Sequence, residues 1–180
     1  LLYVDPHTHE KVQRQDDINF YKKQVRVALH GCSTINPYSL EESLGYDGFK
    51  ALEKVLKTMT PQQVIDEVVA SGLRGRGGAG FPTGRKWQFA ANVQSDQKYI
   101  VCNGDEGDPG AFMDRSILEG NPFEVIEGMM IAGYAVRAEN GYIYVRAEYP
   151  MSVARLRNAI KLLEERGLLG DNILGSDFSF

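Results

Sequence analysis

A chain of 180 residues, 43% hydrophobic and 24% charged with a formal net charge of -4, can bury one sizeable core and reads as one domain or most of one. The acidic balance excludes nucleic-acid binding, which rests on clustered Lys and Arg neutralising phosphates. The longest apolar run, residues 129–136, falls well short of the roughly 20 residues needed to cross a bilayer, and no basic-then-apolar leader opens the chain, so a cytoplasmic protein with no direct membrane insertion is expected.

Residues 1–24 are polar and irregular and read as an N-terminal extension, with the domain proper over 25–180. His7, His9 and His30 lack ligand spacing with any Cys or carboxylate, so no metal is expected there. Residues 24–30 alternate in the manner of a half-exposed strand. Cys32 and Cys102 stand far apart and in no C-x-x-C arrangement, so the chain cannot by itself supply four thiolates, and both read as buried structural thiols. Two helical pieces follow over residues 39–59, the second carrying Phe49, Leu52, Val55 and Leu56 on one stripe.

Thr60-Pro61-Gln62-Gln63 is a helix start: Thr60 as N-cap, Pro61 at the first helical position and Gln63 able to close a capping box. The helix buries Val64, Ile65, Val68 and Val69 and ends near Gly72. Then comes a glycine-rich basic loop, SGLRGRGGAGFPTGRKW. Its glycines let backbone N–H groups approach an anion, while Arg74, Arg76, Arg85 and Lys86 supply positive charge. Residues 75–80 formally match G-x-G-x-x-G, but the dinucleotide fingerprint needs a strand before the loop, and here a helix precedes it. The P-loop pattern fails as well, because Trp87 stands where a Ser or Thr should follow the lysine. A mere connector has no need of four cations beside two aromatics, so a phosphate ligand is the better reading, with a helix starting near Thr83 or Gly84 adding its N-terminal amides.

A short strand over residues 98–103 leads into the acidic loop NGDEGDPGAFMDR, at the carboxyl end of a strand, where open α/β sheets place their ligands. A calcium loop fits poorly, since position six is Asp108 and position twelve is the short Asp114. Asn121-Pro122-Phe123-Glu124 repeats the capping signature and opens a long helix with Val125, Ile126, Met129, Met130, Gly133 and Tyr134 toward a core. A strand over 141–146, a helix over 150–166 ended by Gly167, and the start of a third strand at 177–180 follow. This β-α-β-α order predicts an α/β fold with a parallel or mixed sheet, cut before completion, hence a fragment of a longer polypeptide.

The two loops together, S-G-L-R-G-R-G-G-A-G-F-P-T-G-x-K-W followed by N-x-D-E-G-x-P-G and D-R, resemble the flavin-binding subunit of NADH:quinone oxidoreductase (respiratory complex I) and the related subunits of NAD(P)-reducing and electron-bifurcating hydrogenases. The resemblance runs from about Phe20 to the end, and the opening looks closer to the hydrogenase and bifurcating branch. It implies a modified Rossmann-like domain holding FMN, with NADH stacked over the flavin, hydride passing between them and single electrons leaving through iron–sulfur clusters. Carried over by motif, Gly75, Arg76, Gly77 and Lys86 would hold FMN, with Lys86 or the loop amides at its phosphate, and Asn103, Asp105 and Glu106 would bind its ribityl chain and ring edge. Phe81 and Phe89 would sandwich the adenine of NADH, and Asp108 stands where relatives commonly have Glu near the NADH ribose. No catalytic acid or base is implied, since hydride transfer is flavin chemistry. Family members continue past this point with a Gly-Glu-Glu segment, a small β-rich domain and a four-cysteine module, so the [4Fe–4S] cluster would lie in the parent polypeptide and not in this chain. The implied partners are the iron–sulfur subunits of a multi-subunit oxidoreductase, on the cytoplasmic side of a membrane where one is involved. The competing reading is a non-redox assembly or scaffold domain that keeps the fold.

Overall fold

A computed structural model describes residues 3–14 and 17–180, which fall into two compact units, one ending at His30 and one spanning Gly31–Phe180. In the first, β1 (Tyr3–Val4) pairs antiparallel with β2 (Lys11–Val12). Asp5 makes the turn between them: its Oδ1 accepts the N–H groups of His7 and Thr8 at 2.8 and 2.9 Å. The Asn19 side chain donates to its Oδ2 at 2.9 Å, which ties the hairpin to α1 (Asn19–Lys22). His7 and His9 are exposed, and among the described residues no group of His, Cys, Asp and Glu is arranged to hold a metal. The strand expected over 24–30 does not form. Val25 and Val27 are 89% and 78% exposed, so the alternation is present but has neither a partner strand nor a surface for its apolar face. The expected boundary between extension and domain, at residues 24–25, falls inside this first unit.

The second unit is α/β: helices α2 (Leu40–Gly45), α3 (Lys50–Thr58), α4 (Pro61–Ala70) and α5 (Thr83–Asn92) precede β3 (Tyr99–Gly104), and α6 (Met113–Gly120) and α7 (Pro122–Val136) connect it to β4 (Asn140–Val145). Helix α8 (Pro150–Glu165) closes the order. The strands pair in parallel, Tyr99 opposite Asn140 through Gly104 opposite Val145, so their carboxyl ends lie side by side. Residues 177–180 are not a strand; instead Phe180 exchanges two backbone hydrogen bonds with Gly170, at 2.8 and 2.9 Å, folding the segment back on the turn after α8.

Helix α7 is apolar nearly all round and forms the centre of the core, as a helix buried on most faces must. Phe123, Ile126 and Met130 share one buried cluster with Leu40, Phe49 and Leu52 and with Ala159 and Leu163 of α8. Ala135 joins a second cluster with Val55, Val64 and Ile65, against which Trp87 and Ala91 of α5 pack. The Thr60–Gln63 capping box is formed as the sequence predicts. Of the four apolar residues expected to be buried on α4, Val64 and Ile65 are, Val68 is half-buried and Val69 is exposed at its side chain. Helix α5 crosses α4 closely at Val69: a Cβ on Gly84 would lie 2.5 Å from the Val69 Cγ2 and 2.6 Å from its nitrogen. Cys32 is buried and Cys102 half-buried; both are free of disulfides, and burial, with Asp114 nearby, pushes the Cys102 thiol up.

Candidate functional site

The glycine-rich loop is pinned at its stem. Thr83 N–H donates to the Leu73 carbonyl and Gly75 N–H to the Phe81 carbonyl, both at 2.9 Å, and Arg74 bridges Pro82. The Arg74 guanidinium donates to the Gly80 carbonyl at 3.1 Å, so this arginine closes the loop. Gly78 and Gly80 sit at φ +98° and +60°, which a side chain would strain. Around Gly77, Gly78 and Gly80 a Cβ would meet nothing within 4 Å, so open space faces the loop.

Trp87 and Ala91 anchor α5 on the core, which turns Arg85, Lys86 and Phe89 outward. Among the described residues no carboxylate pairs with Arg76, Arg85 or Lys86. The first turn of α5 has no side-chain cap, its N-cap being Pro82. Three cations without a carboxylate partner among the described residues, an open glycine loop and the first-turn amides of α5 beyond Thr83, whose own N–H is spent on Leu73, make a seat suited to a phosphate, whose charge the helix dipole also favours.

Phe81 and Phe89 are brought together at this loop, both about half exposed, with ring centroids 6.4 Å apart and planes inclined at 49°. A flat ring held between two parallel faces, each at a contact distance of about 3.5 Å, needs about 7 Å and parallel planes. An adenine therefore requires one phenyl ring to turn before both can stack on it.

The acidic loop is built differently. At the end of β3 the Asn103 side-chain oxygen accepts the Asp105 N–H at 3.0 Å, a local turn in which the Asn103 NH2 has no partner among the described residues. Gly104 lies where a Cβ would come within 2.9 Å of the Tyr144 carbonyl and 3.0 Å of Leu118, so the strand pair and α6 close up only on glycine. Glu106 is buried. Its Oε1 accepts the Asp114 N–H at 3.0 Å, and its Oε2 accepts the Arg115 N–H at 3.2 Å and the Tyr149 hydroxyl at 3.1 Å. Burial opposes ionisation of this carboxyl, but these donors together outweigh it and hold Glu106 below the usual carboxylate range. Burial and the Glu106 charge push Asp114 up. Glu106 thus caps α6, which has no side-chain cap of its own, and three of its roughly four acceptor positions are taken. Asp108 is exposed and its carboxylate has no partner among the described residues.

Tyr149 and Arg146, which the sequence motifs do not single out, are parts of this arrangement. The available signal was R-x-E-Y directly after a strand paired in parallel with the one that feeds the acidic loop. A cavity of 530 Å³ lies elsewhere: between α7, β4 and α8, walled by Met129, Ile143, Leu156 and Phe180 and rimmed by Arg157 and Glu164. It contains no residue of either loop.

Residues 68–174 match the family described as the Nuo51 FMN-binding domain. The chain is 55% identical over 159 residues to the NADP-reducing hydrogenase subunit HndC of Solidesulfovibrio fructosivorans, covering 88% of this chain and 32% of that protein. It is 50% identical to the F subunit of NADH-quinone oxidoreductase of Aquifex aeolicus and 41% identical to that of Escherichia coli, covering 78% and 80% of this chain and 33% of each relative. Among solved structures, an NAD+-reducing [NiFe]-hydrogenase in its H2-reduced state superposes with a TM-score of 0.61 at 30% identity, over 79% of this chain and 23% of that one. The chain spans about a third of the length of the curated relatives it matches.

Proposed function

The chain belongs to the Nuo51 FMN-binding domain family, and from that premise we propose that it holds FMN at the glycine-rich loop, takes NADH beside it, and feeds electrons to iron–sulfur clusters of a larger oxidoreductase. The observation that carries this reading is the open glycine loop with Arg76, Arg85 and Lys86 unpaired among the described residues, beside the start of α5, which has no side-chain cap. FMN, once bound, supplies the chemistry of taking two electrons with a hydride and releasing them singly.

The residues of the chain bind, orient and exclude. Gly75, Arg76 and Gly77 form the loop wall, and Lys86 with the loop amides holds the phosphate. Asn103 donates to the ribityl hydroxyls and Asp105 accepts from them, while Glu106 contributes by fixing the loop that carries Asp105. Phe81 and Phe89 receive the adenine once their rings align, and Asp108 meets the ribose, where a carboxylate favours NADH by repelling a 2′-phosphate. Partners are the iron–sulfur subunits of a multi-subunit complex, at a cytoplasmic and peripheral position; no described helix is long and apolar enough to cross a membrane.

The test is an anaerobic titration of the flavin-stripped protein with FMN, followed by NADH while the visible absorption of the flavin is watched. Binding and then bleaching is the expected result. Failure to take up FMN would end the redox reading in favour of a scaffold domain that keeps the fold.

A further inference from the structure

Because β3 and β4 run in parallel and in register, the chain leaving β4 passes directly beside the chain leaving β3. The first residues past β4 meet the acidic loop at both of its ends. Arg146 donates from its guanidinium to the Glu106 carbonyl, at the loop's start. Tyr149 donates its hydroxyl to the Glu106 carboxylate at 3.1 Å and lies 3.5 Å from the Ala111 carbonyl, at the loop's end. The Glu106 carboxylate also holds the Asp114 and Arg115 amides just beyond it. Among the described residues, no side chain outside the loop hydrogen-bonds to the stretch between, residues 107–110.

The clamp is itself braced. Glu148 receives Arg146 in a two-point fork at 3.0 and 3.1 Å, a geometry that fixes the guanidinium plane as well as its charge. The Arg146 and Arg115 guanidinium carbons each lie 5.4 Å from the Tyr149 ring centroid, within cation–π range. Arg115 is tied at 3.0 Å to Glu119, which accepts the Ser152 hydroxyl at 3.2 Å, so the brace reaches α8. A tyrosine that is 5% exposed needs a partner for its hydroxyl, and of the two oxygens in reach the Glu106 carboxylate is the nearer and the charged one.

Resting on the reading that this site binds FMN and NADH, we propose that Tyr149 and Arg146 are positioning residues: through Glu106 they fix the acidic loop, residues 105–112, so that Asp105 and Asp108 meet the nucleotides in a single geometry. Neither residue touches a nucleotide. They act by removing loop conformations that binding would otherwise have to exclude, which is the general way preorganisation raises affinity.

The experiment compares wild type, Tyr149→Phe and Arg146→Lys in the purified flavoprotein complex, with and without its flavin. Tyr149→Phe keeps the ring and its two cationic neighbours and removes only the hydroxyl. Amide exchange of residues 107–116 is read in the flavin-free protein, FMN affinity by dialysis, and NADH KM and kcat in the reconstituted one. Losing a hydrogen bond to a charged group opens the loop about tenfold more often, so exchange across 107–116 rises about tenfold while that of β3 and α7 is unchanged. FMN dissociation rises by a similar factor, and KM for NADH rises more than kcat falls. Arg146→Lys keeps the charge, loses the fork, and gives the same pattern at smaller amplitude, which guards against a folding defect in one variant. Unchanged exchange across the loop overturns the clamp. A loosened loop with unchanged FMN and NADH binding overturns its role at the site. If wild type itself takes up no FMN, the flavin reading falls and this proposal with it, whatever the exchange data show.

Discussion

Replacing Gly84 by alanine tests how closely α4 and α5 approach. A Cβ at this position would lie 2.5 Å from Val69 Cγ2 and 2.6 and 2.9 Å from the Val69 N and Cα. The exposed Val69 methyl can swing aside, but the backbone atoms move only if the helices part. Overpacking of a close contact costs about 1–3 kcal/mol, and a clash with backbone belongs at the upper end, near 3. Alanine's better helix propensity offsets about 1 kcal/mol of this. The net loss is then about 2 kcal/mol, a fall in Tm of about 4–8 °C for a chain of this size. Thermal and urea unfolding of G84A against wild type measures it, with the urea slope unchanged because the surface exposed on unfolding is the same. Since Gly84 sits beside Arg85 and Lys86 in the first turn of α5, FMN affinity falls along with stability. A variant melting within about 1 °C of wild type would refute so close a helix crossing.

At Gly77, where φ is not positive and a Cβ meets nothing within 4 Å, alanine leaves stability within about 0.5 kcal/mol of wild type while weakening FMN by obstructing the open side of the loop; equal FMN affinity would remove Gly77 from the site. Lys86→Ala raises the FMN dissociation constant about 10–100-fold, the worth of a hydrogen bond to a charged group, and equilibrium dialysis showing no change would dismiss Lys86 as the phosphate ligand. Phe81→Ala raises the NADH KM with flavin retained, and a normal KM in steady-state assays would take Phe81 out of the NADH site. The fork to Arg146 holds the Glu148 carboxyl down to about 2. A depressed carboxyl contributes stability that is present above its unfolded value of about 4.3 and lost as pH falls toward the folded one. The Tm advantage of wild type over E148Q is therefore steady above about pH 5 and shrinks from there to about pH 2; because both partners are solvent-accessible the advantage is small and falls with salt, and a gap that does not narrow in acid would contradict the ion pair.

Local signals were legible and distant ones were not. Thr60 and Asn121 announce their helices because cap and capped amide lie three residues apart, and both caps form. The helix before the glycine loop, which argued against an ordinary Rossmann fingerprint, is present as α4. Strands β3 and β4 stood out by composition. The expected strands at 24–30 and 177–180 failed because period-two alternation says nothing about whether a neighbouring edge exists to pair with. Helix α6 is not announced by the sequence because its cap is not local: Phe112 precedes it, and the capping carboxylate is that of Glu106, eight residues upstream of the amide it accepts.

Glu106 has a counterpart that shows the same physics. Helix α3 also lacks a side-chain cap, its N-cap Phe49 sitting at φ +63°, and the buried Glu127 of α7 accepts the Phe49 and Leu52 amides at 2.9 and 3.0 Å from more than seventy residues away. A buried carboxylate is tolerated where amides and hydroxyls occupy its oxygens, and an oxygen so occupied has little left for a ligand. Residue type alone could not separate Glu106 from Asp105 and Asp108, because all three are acceptors in one acidic loop at the end of one strand. What separates them is Tyr149, forty-three residues on, brought there by parallel pairing. The opposite holds on the glycine loop, where Arg74 is used internally and Arg76, Arg85 and Lys86 have no partner among the described residues. The charges available to a nucleotide are then those that no described side chain hydrogen-bonds: three cations on one loop, and Asp105 and Asp108 on the other, while Arg146 is spent on Glu148 and the Glu106 carbonyl.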